Sequence, residues 1–243
     1  LLAACDAERA APLVIGVARG CISGDPATYR LFEAALALLD TAVASMRDVD
    51  VPAPDLDTFA DQIDALVAEH YDDLAAYLAT RPGVGVTGIE DVIAFDNAHA
   101  DLEGMHFGHD LLEQEVRSGG RGGATYAAAR ERNLAWAGST LGAAFDSGVD
   151  VVAAPAYRPA WKSDVVHGYV LAGGGGICTA PAILGWPILT VPMGLVEGLP
   201  VGFSIAGPAN SEVALLAVGQ ALEEALGLSP QWFRPSWRSV GRG

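Results

Sequence analysis

Along the chain the spacing of apolar positions changes several times, and each change predicts a different element. "APLVIGVARG" (11–20) is a short β-branched run closed by glycine, which predicts a buried strand. In "GDPATYRLFEAALALLDTAVASMRD" (24–48) the apolar positions recur at helical spacing, with Asp25 suited to the N-cap and Pro26 to the first helical position. "VDVPAPD" (49–55) reads as a second short strand ended by prolines. From Leu56 to about Ser147 the pattern is helical throughout, with helices expected at 57–80, 88–101, 107–117 and 124–146 and breaks at "RPGVGVTG" and "RSGGRGG". Strand character returns in "VDVVAAP" (149–155), "WPILTVPMG" (186–194) and "LPVGFSIAG" (199–207). An amphipathic helix follows at 211–227, with Ser211 near its cap and Gly227 after its end. Helices inserted between strands, with no internal repeat, predict one α/β layer domain.

Composition narrows what such a domain can do. At 243 residues, 51% hydrophobic and 18% charged, the chain can bury a substantial core. Its 30 acids against 14 bases argue against a nucleic-acid partner, whose phosphates need clustered Lys and Arg. The nearest approach to a membrane span, "GYVLAGGGGICTAPAILGW" (168–186), carries four consecutive glycines that disfavour a helix. Cys5, Cys21 and Cys178 are widely spaced and odd in number, which points to a reducing compartment and a cytoplasmic location. Leu2-Ala3-Ala4-Cys5 has the letters of a lipoprotein cleavage box, but no basic or apolar segment precedes it. Because Leu1 is not a start methionine, the chain is expected to begin inside a longer protein.

Several stretches have the letters of chemistry. "FDNAHADLEGMHFGHD" (95–110) holds three of the five histidines; on one helix His99, Glu103, His106 and Asp110 would share a face, and Glu103-x-x-His106 matches a di-iron ligand pair. That pair occurs once, and Gly104 and Gly108 oppose a continuous helix, so a polar helix-to-helix corner is expected, with no metal. "GVGVTG" (83–88) has the dinucleotide-binding glycine spacing but follows a helix rather than a strand, and reads as a loop between helices. "RSGGRGG" (117–123) reads as a flexible connection. Cys178, with His167 as a conceivable base, is a candidate nucleophile, although a single cysteine in an apolar run is more often buried and inert. Lys162 is the only lysine, so any mechanism that needs a neutral lysine base must use it or one outside the chain.

The C-terminal third contains "VDVVAAPAYRPAW" (149–161) and "GGGGICTAPAILGWPILTVPMGLVEGLPVGFSIAGPANSEVALLAVGQALE" (173–223). On these stretches it resembles the closing half of an amidase signature enzyme, the family of fatty acid amide hydrolase and of the amidotransferase A subunit. Within these lie a strand ending in "APA", a glycine-rich turn into a short helix, two paired strands, and a final helix beyond "GPANSE". Upstream, "IGVARG" and its long helix look like the linker after the family's catalytic region. "RPGVGVTGIEDVIAFDNAHADLEGMHFGHDLLEQ" looks like the helical insertion of small bacterial amidases.

The resemblance implies an α/β fold, a mixed β-sheet flanked by helices, of which residues 1–243 form one partial domain with a helical insertion at about 56–147. It implies hydrolysis of a linear carboxamide to acid plus ammonia or amine, without a cofactor. In the family a serine attacks the carbonyl, a second serine relays the proton, a neutral lysine is the final base, and a glycine-rich loop stabilises the oxyanion. This chain has no Ser-Ser pair, and Lys162 lies on the wrong motif, so no catalytic residue is assigned and the catalytic set is expected upstream of Leu1. The chain alone is expected to be inactive and to self-associate through the surface left open by the missing N-terminal half. By motif position, Tyr157, Trp161, Cys178, Thr179 and Pro181 would line the substrate cleft. Serines common in relatives after the glycine run are replaced by Gly176-Ile177-Cys178, giving a more apolar wall. The resemblance places the histidine-rich corner near the cleft mouth. Two alternatives are a non-catalytic partner docking on an amidase or amidotransferase, and a diverged hydrolase using Cys178.

Overall fold

The computed structural model describes residues 5–21, 25–102, 104, 106–161, 164–166 and 176–227. They divide into a sheet unit, drawn from 1–51, 142–160 and 175–243, and a helical unit, drawn from 52–141 and 161–174.

The sheet unit contains β1 (Val14–Val17), α1 (Pro26–Leu39), β2 (Ser45–Asp48), β3 (Val151–Pro155), α6 (Thr179–Leu184), β4 (Ile188–Val196), β5 (Leu199–Ala206) and α7 (Glu212–Leu226). The sheet order is β2-β1-β3-β5-β4. β2, β1 and β3 are parallel, whereas β5 runs antiparallel to β3 and to β4. This is the mixed sheet flanked by helices that the resemblance implied. β3, all apolar, is buried at every position, as a central strand must be. Alternate residues Ile15, Val17, Val151, Ala153, Val191, Met193, Phe203 and Ile205 join one core with Phe32, Leu36 and Leu39 of α1 and Leu215, Val218 and Leu222 of α7. The Phe32 and Phe203 rings meet at 5.1 Å between centroids. Burying each ring stabilises the fold by about 2–3 kcal/mol.

α1 starts where its capping chemistry predicts. Asp25 accepts hydrogen bonds from the Ala27 and Thr28 N–H groups at 3.0 and 3.1 Å and from the Thr28 hydroxyl at 2.9 Å, with Pro26 next. Its end differs from expectation: the helix stops at Leu39, and Ser45–Asp48 forms β2. "VDVPAPD" is therefore not the second strand, which lies just before it. The parallel ladder to β1 decides this, extended by Ala44 N–H donating to Leu13 O and Val49 N–H to Val17 O. Short polar "SMRD" has little strand preference of its own, so tertiary pairing overrides the local pattern.

The helical unit contains α2 (Leu56–Ala79), α3 (Ile89–Ala98), α4 (Asp110–Ser118) and most of α5 (Tyr126–Asp146), close to the four expected spans. "GVGVTG" is a loop between α2 and α3, with Gly83 and Gly85 at positive φ and Gly88 capping α3. "RSGGRGG" is an anchored turn rather than a loose connection. Arg121 donates to both Asp73 carboxylate oxygens at 2.8 Å, and its backbone N–H donates to Asp72. Gly120, at φ +67°, sits so close that a Cβ there would lie 2.9 Å from Asp72 Oδ2.

Candidate functional site

In sheets with parallel strands, ligands bind outside the carboxyl ends of the strands. At that end of β3, Ala156 N–H donates the last ladder bond to Gly202 O at 2.7 Å, and the chain turns away through half-buried Tyr157 and Arg158. Gly176 packs directly on this turn. A Cβ there would clash with the carbonyl oxygens of Pro155 and Ala156 and stand 2.9 Å from the Ala156 carbonyl carbon. Only glycine permits this approach, which seats the start of α6 against the end of β3. α6 lasts six residues and ends at Gly185 in the left-handed conformation, with Trp186 N–H donating to Pro181 O at 2.9 Å.

Four of the five expected cleft residues therefore gather around two adjoining segments: Tyr157 after β3, and Cys178, Thr179 and Pro181 at α6. Cys178 is exposed and Thr179 half-buried, while Pro181 is buried together with Ile177 and Ala180. Trp161 belongs to the helical unit and is 44% exposed.

The cysteines differ from expectation. Cys178 is exposed at the start of a helix, and Cys21 is the buried one. Cys21 follows β1, with its Sγ 3.9 Å from Val51 O. Burial above all, then the charge of Asp50 and the neighbouring Cys178, pushes the Cys21 thiol up to about 12. His167, the conceivable base for Cys178, and Lys162 lie outside the described residues.

Two charge interactions at this rim are not legible in the sequence. Arg19 donates to Glu33 at 2.6 Å and also to Asp48, joining the segment after β1 to the end of β2 and to α1. Burial works against the charged form of Asp25, but hydrogen bonds from Thr28 and Ala27 and the charge of Arg158 together hold its carboxyl below the usual range. The available signal is an arginine shortly after a buried strand, Arg19 two residues beyond β1 and Arg158 three residues beyond β3.

The histidine-rich stretch is a corner. α3 ends at Ala98 with His99 as its C-cap, and α4 begins at Asp110 with His109 as its N-cap, so no single helix carries all three histidines. His99 stacks on Phe95 at 4.2 Å and its Nδ1 lies 2.8 Å from Phe95 O. Half-buried His109 stands between Asp96 and Glu113, at 3.7 and 3.6 Å. These three, with Phe107, Gly104 and Asp110, line a cavity of about 400 Å³. Glu103 lies outside the described residues. Among the described residues, no three His, Cys, Asp or Glu side chains converge as metal ligands, and no helix is long and apolar enough to cross a membrane.

Comparison with known proteins agrees with this architecture. The family model described as Amidase matches residues 3–216. The glutamyl-tRNA(Gln) amidotransferase A subunit of Halobacterium salinarum is 30% identical over 221 residues, covering 87% of this chain and 51% of that protein. Its counterpart in Rubrobacter xylanophilus is 49% identical over 53 residues, 21% of this chain and 11% of that one. Among solved structures, the native peptide amidase of Stenotrophomonas maltophilia superposes with a TM-score of 0.80 at 28% identity, over 93% of this chain and 45% of its own. The chain belongs to the amidase family. It spans about half the length of the Halobacterium protein and under half of the peptide amidase.

Proposed function

We propose that this chain is the C-terminal half of an enzyme that hydrolyses a linear carboxamide to a carboxylic acid and ammonia or an amine. In this reading the catalytic serine pair and lysine are supplied by sequence outside the chain. On the same reading the described residues contribute five strands of the sheet, and Tyr157, Cys178, Thr179 and Pro181 form part of one wall of the substrate cleft. The supporting observation is a family match over residues 3–216 in a chain that has no Ser-Ser pair and whose single lysine is Lys162. Because the peptide amidase is similar over 93% of this chain, a peptide amide is the substrate to try first. Three unpaired cysteines fit a reducing, cytoplasmic setting.

The direct test is ammonia release from a C-terminally amidated peptide, comparing the whole reading frame that contains this sequence with the 243-residue chain. The whole frame is expected to turn over and the chain alone to match the buffer blank. Turnover by the chain alone would overturn the proposal.

The exposure of Cys178 favours one second reading, a diverged hydrolase with a thiol nucleophile. Loss of such turnover in Cys178→Ala, with the fold intact, would establish it; unchanged turnover would remove it.

A further inference from the structure

β1 and β3 are parallel neighbours, and a cysteine lies just beyond the carboxyl end of β1 and another against that of β3. Ala18 N–H donates to Ala153 O at 2.9 Å, which holds the exit of β1 against β3. Arg19–Cys21 then form one tight turn, with Cys21 N–H donating back to Ala18 O at 3.4 Å. The Cys21 side chain points inward, its Sγ 3.9 Å from the carbonyl oxygen of buried Val51. Cys178 comes to the same rim from β3. Gly176 is packed on the Pro155 and Ala156 carbonyls at the exit of that strand, and Cys178 follows two residues later at the start of α6. The charge of Cys178 is felt at the Cys21 thiol, which places the two sulfurs near one another.

The two thiols differ in a way that orders their chemistry. Cys178 is exposed and meets solutes first, whereas burial and neighbouring charge keep Cys21 protonated. An accessible thiol beside a second cysteine is the arrangement in which an oxidised sulfur is resolved as a disulfide.

We propose that Cys21 and Cys178 form a reversible disulfide when the protein meets hydrogen peroxide, a redox switch that ties the start of α6 to the turn after β1. The Cys178 thiolate attacks one peroxide oxygen, the O–O bond breaks, and Cys178 becomes a sulfenic acid as a first water leaves. The Cys21 sulfur then attacks the Cys178 sulfur. The S–O bond breaks, and the hydroxyl departs with the Cys21 proton as a second water. Two thiols have thereby given two electrons to one peroxide, and a small thiol such as dithiothreitol returns them. Transient disulfides of this kind are compatible with a reducing compartment. A disulfide needs Cα atoms about 4.4–6.8 Å apart, so the bond fixes the first turn of α6, with Thr179 and Pro181, against the exit of β1. The effect on amide turnover rests on the reading given under Proposed function, whereas bond formation does not.

The test uses the protein from the whole reading frame, reduced, treated with hydrogen peroxide, digested in acid and mapped by mass spectrometry. The expected product is a peptide pair joining Cys21 to Cys178 within one molecule, lost again on addition of dithiothreitol. Cys5, also exposed, controls for indiscriminate coupling. Coupling of Cys178 to Cys5 or any other cysteine in equal yield would overturn the proposal. So would a pair formed only between molecules, or Cys178 carried to sulfinic acid with Cys21 still free. In Cys21→Ala no resolving sulfur remains, so Cys178 is expected to proceed to sulfinic acid, which dithiothreitol does not reverse. Thiol recovery in Cys21→Ala equal to that of wild type would overturn the resolving role of Cys21. Turnover of an amidated peptide is expected to fall about tenfold or more on oxidation and to return on reduction. Unchanged turnover with the bond formed would overturn the switch. A reduced protein with no turnover would defeat the functional reading alone, because the linked peptide is scored without it.

Discussion

Replacing Gly176 by alanine adds one methyl group at the contact between α6 and the end of β3, and the size of the effect follows from the local distances. The new Cβ would meet the carbonyl groups of Pro155 and Ala156, with the Ala156 carbonyl carbon at 2.9 Å. Carbon atoms pack best at about 3.5–4.0 Å, so the two segments must separate by roughly 1 Å. Neither side yields easily: β3 is hydrogen-bonded on both flanks, and Ile177, Ala180 and Pro181 are buried behind Gly176. Overpacking of this kind costs about 1–3 kcal/mol. At this chain length each kcal/mol lowers Tm by about 2–4 °C, so Gly176→Ala is expected to melt several degrees lower in a calorimetric or circular-dichroism scan. Cys178 and Thr179 would move with the helix. Under the proposed function these residues belong to the substrate wall, where a displacement of about 1 Å can cost on the order of 100-fold in rate. The kcat/KM of the protein from the whole reading frame for a peptide amide should therefore fall even below the melting range. Gly185→Ala provides the contrast, since nothing lies within 4 Å of its Cβ and only the φ of +69° is unfavourable. Unchanged Tm and unchanged kcat/KM in Gly176→Ala would refute the claim that a glycine-only contact sets the position of α6.

Other consequences are open to measurement. Phe203→Ala, at the centre of the core against Phe32, should destabilise the sheet unit by about 3–5 kcal/mol in urea melts, and a loss under about 1 kcal/mol would contradict the packing described. Asp25→Ala removes the α1 cap and should cost about 1 kcal/mol near pH 7. The folded-state pKa of Asp25 is lowered, so its stabilisation is present above the unfolded carboxylate pKa and is lost as pH falls through the folded value. The gap between wild type and variant should therefore close below about pH 4, and a gap persisting at about pH 2 would argue against a charged cap. In native protein at about pH 8, iodoacetamide should label Cys5 and Cys178 but spare Cys21, whose thiol is buried and pushed up to about 12; mass spectrometry of native and unfolded samples reads this directly.

Much of the local structure was legible because it rests on short-range chemistry. The four helices between Leu56 and Asp146 follow from apolar periodicity and from the glycines that interrupt it, and α1 begins at Asp25-Pro26 because that pair both caps and starts a helix. β3, β4 and β5 follow from apolar runs bounded by turn residues, and the family is recognisable from the motifs in 149–223 alone. β2 is not legible in the sequence because "SMRD", mostly exposed, acquires its strand conformation only from the neighbouring β1. "RSGGRGG" looks loose in sequence because its anchors, Asp72 and Asp73, stand more than forty residues earlier.

The sequence by itself determined the elements other than β2, the family, and the absence of a serine pair from these 243 residues, all of which depend on residue identity at short separation. Only the tertiary structure decided which thiol is buried, that Gly176 meets the end of β3, and which of the described strands lie at the edges of the sheet. Those outcomes depend on distances between residues remote in the chain, created when the strands take their order and register. Local spacing does not encode that order.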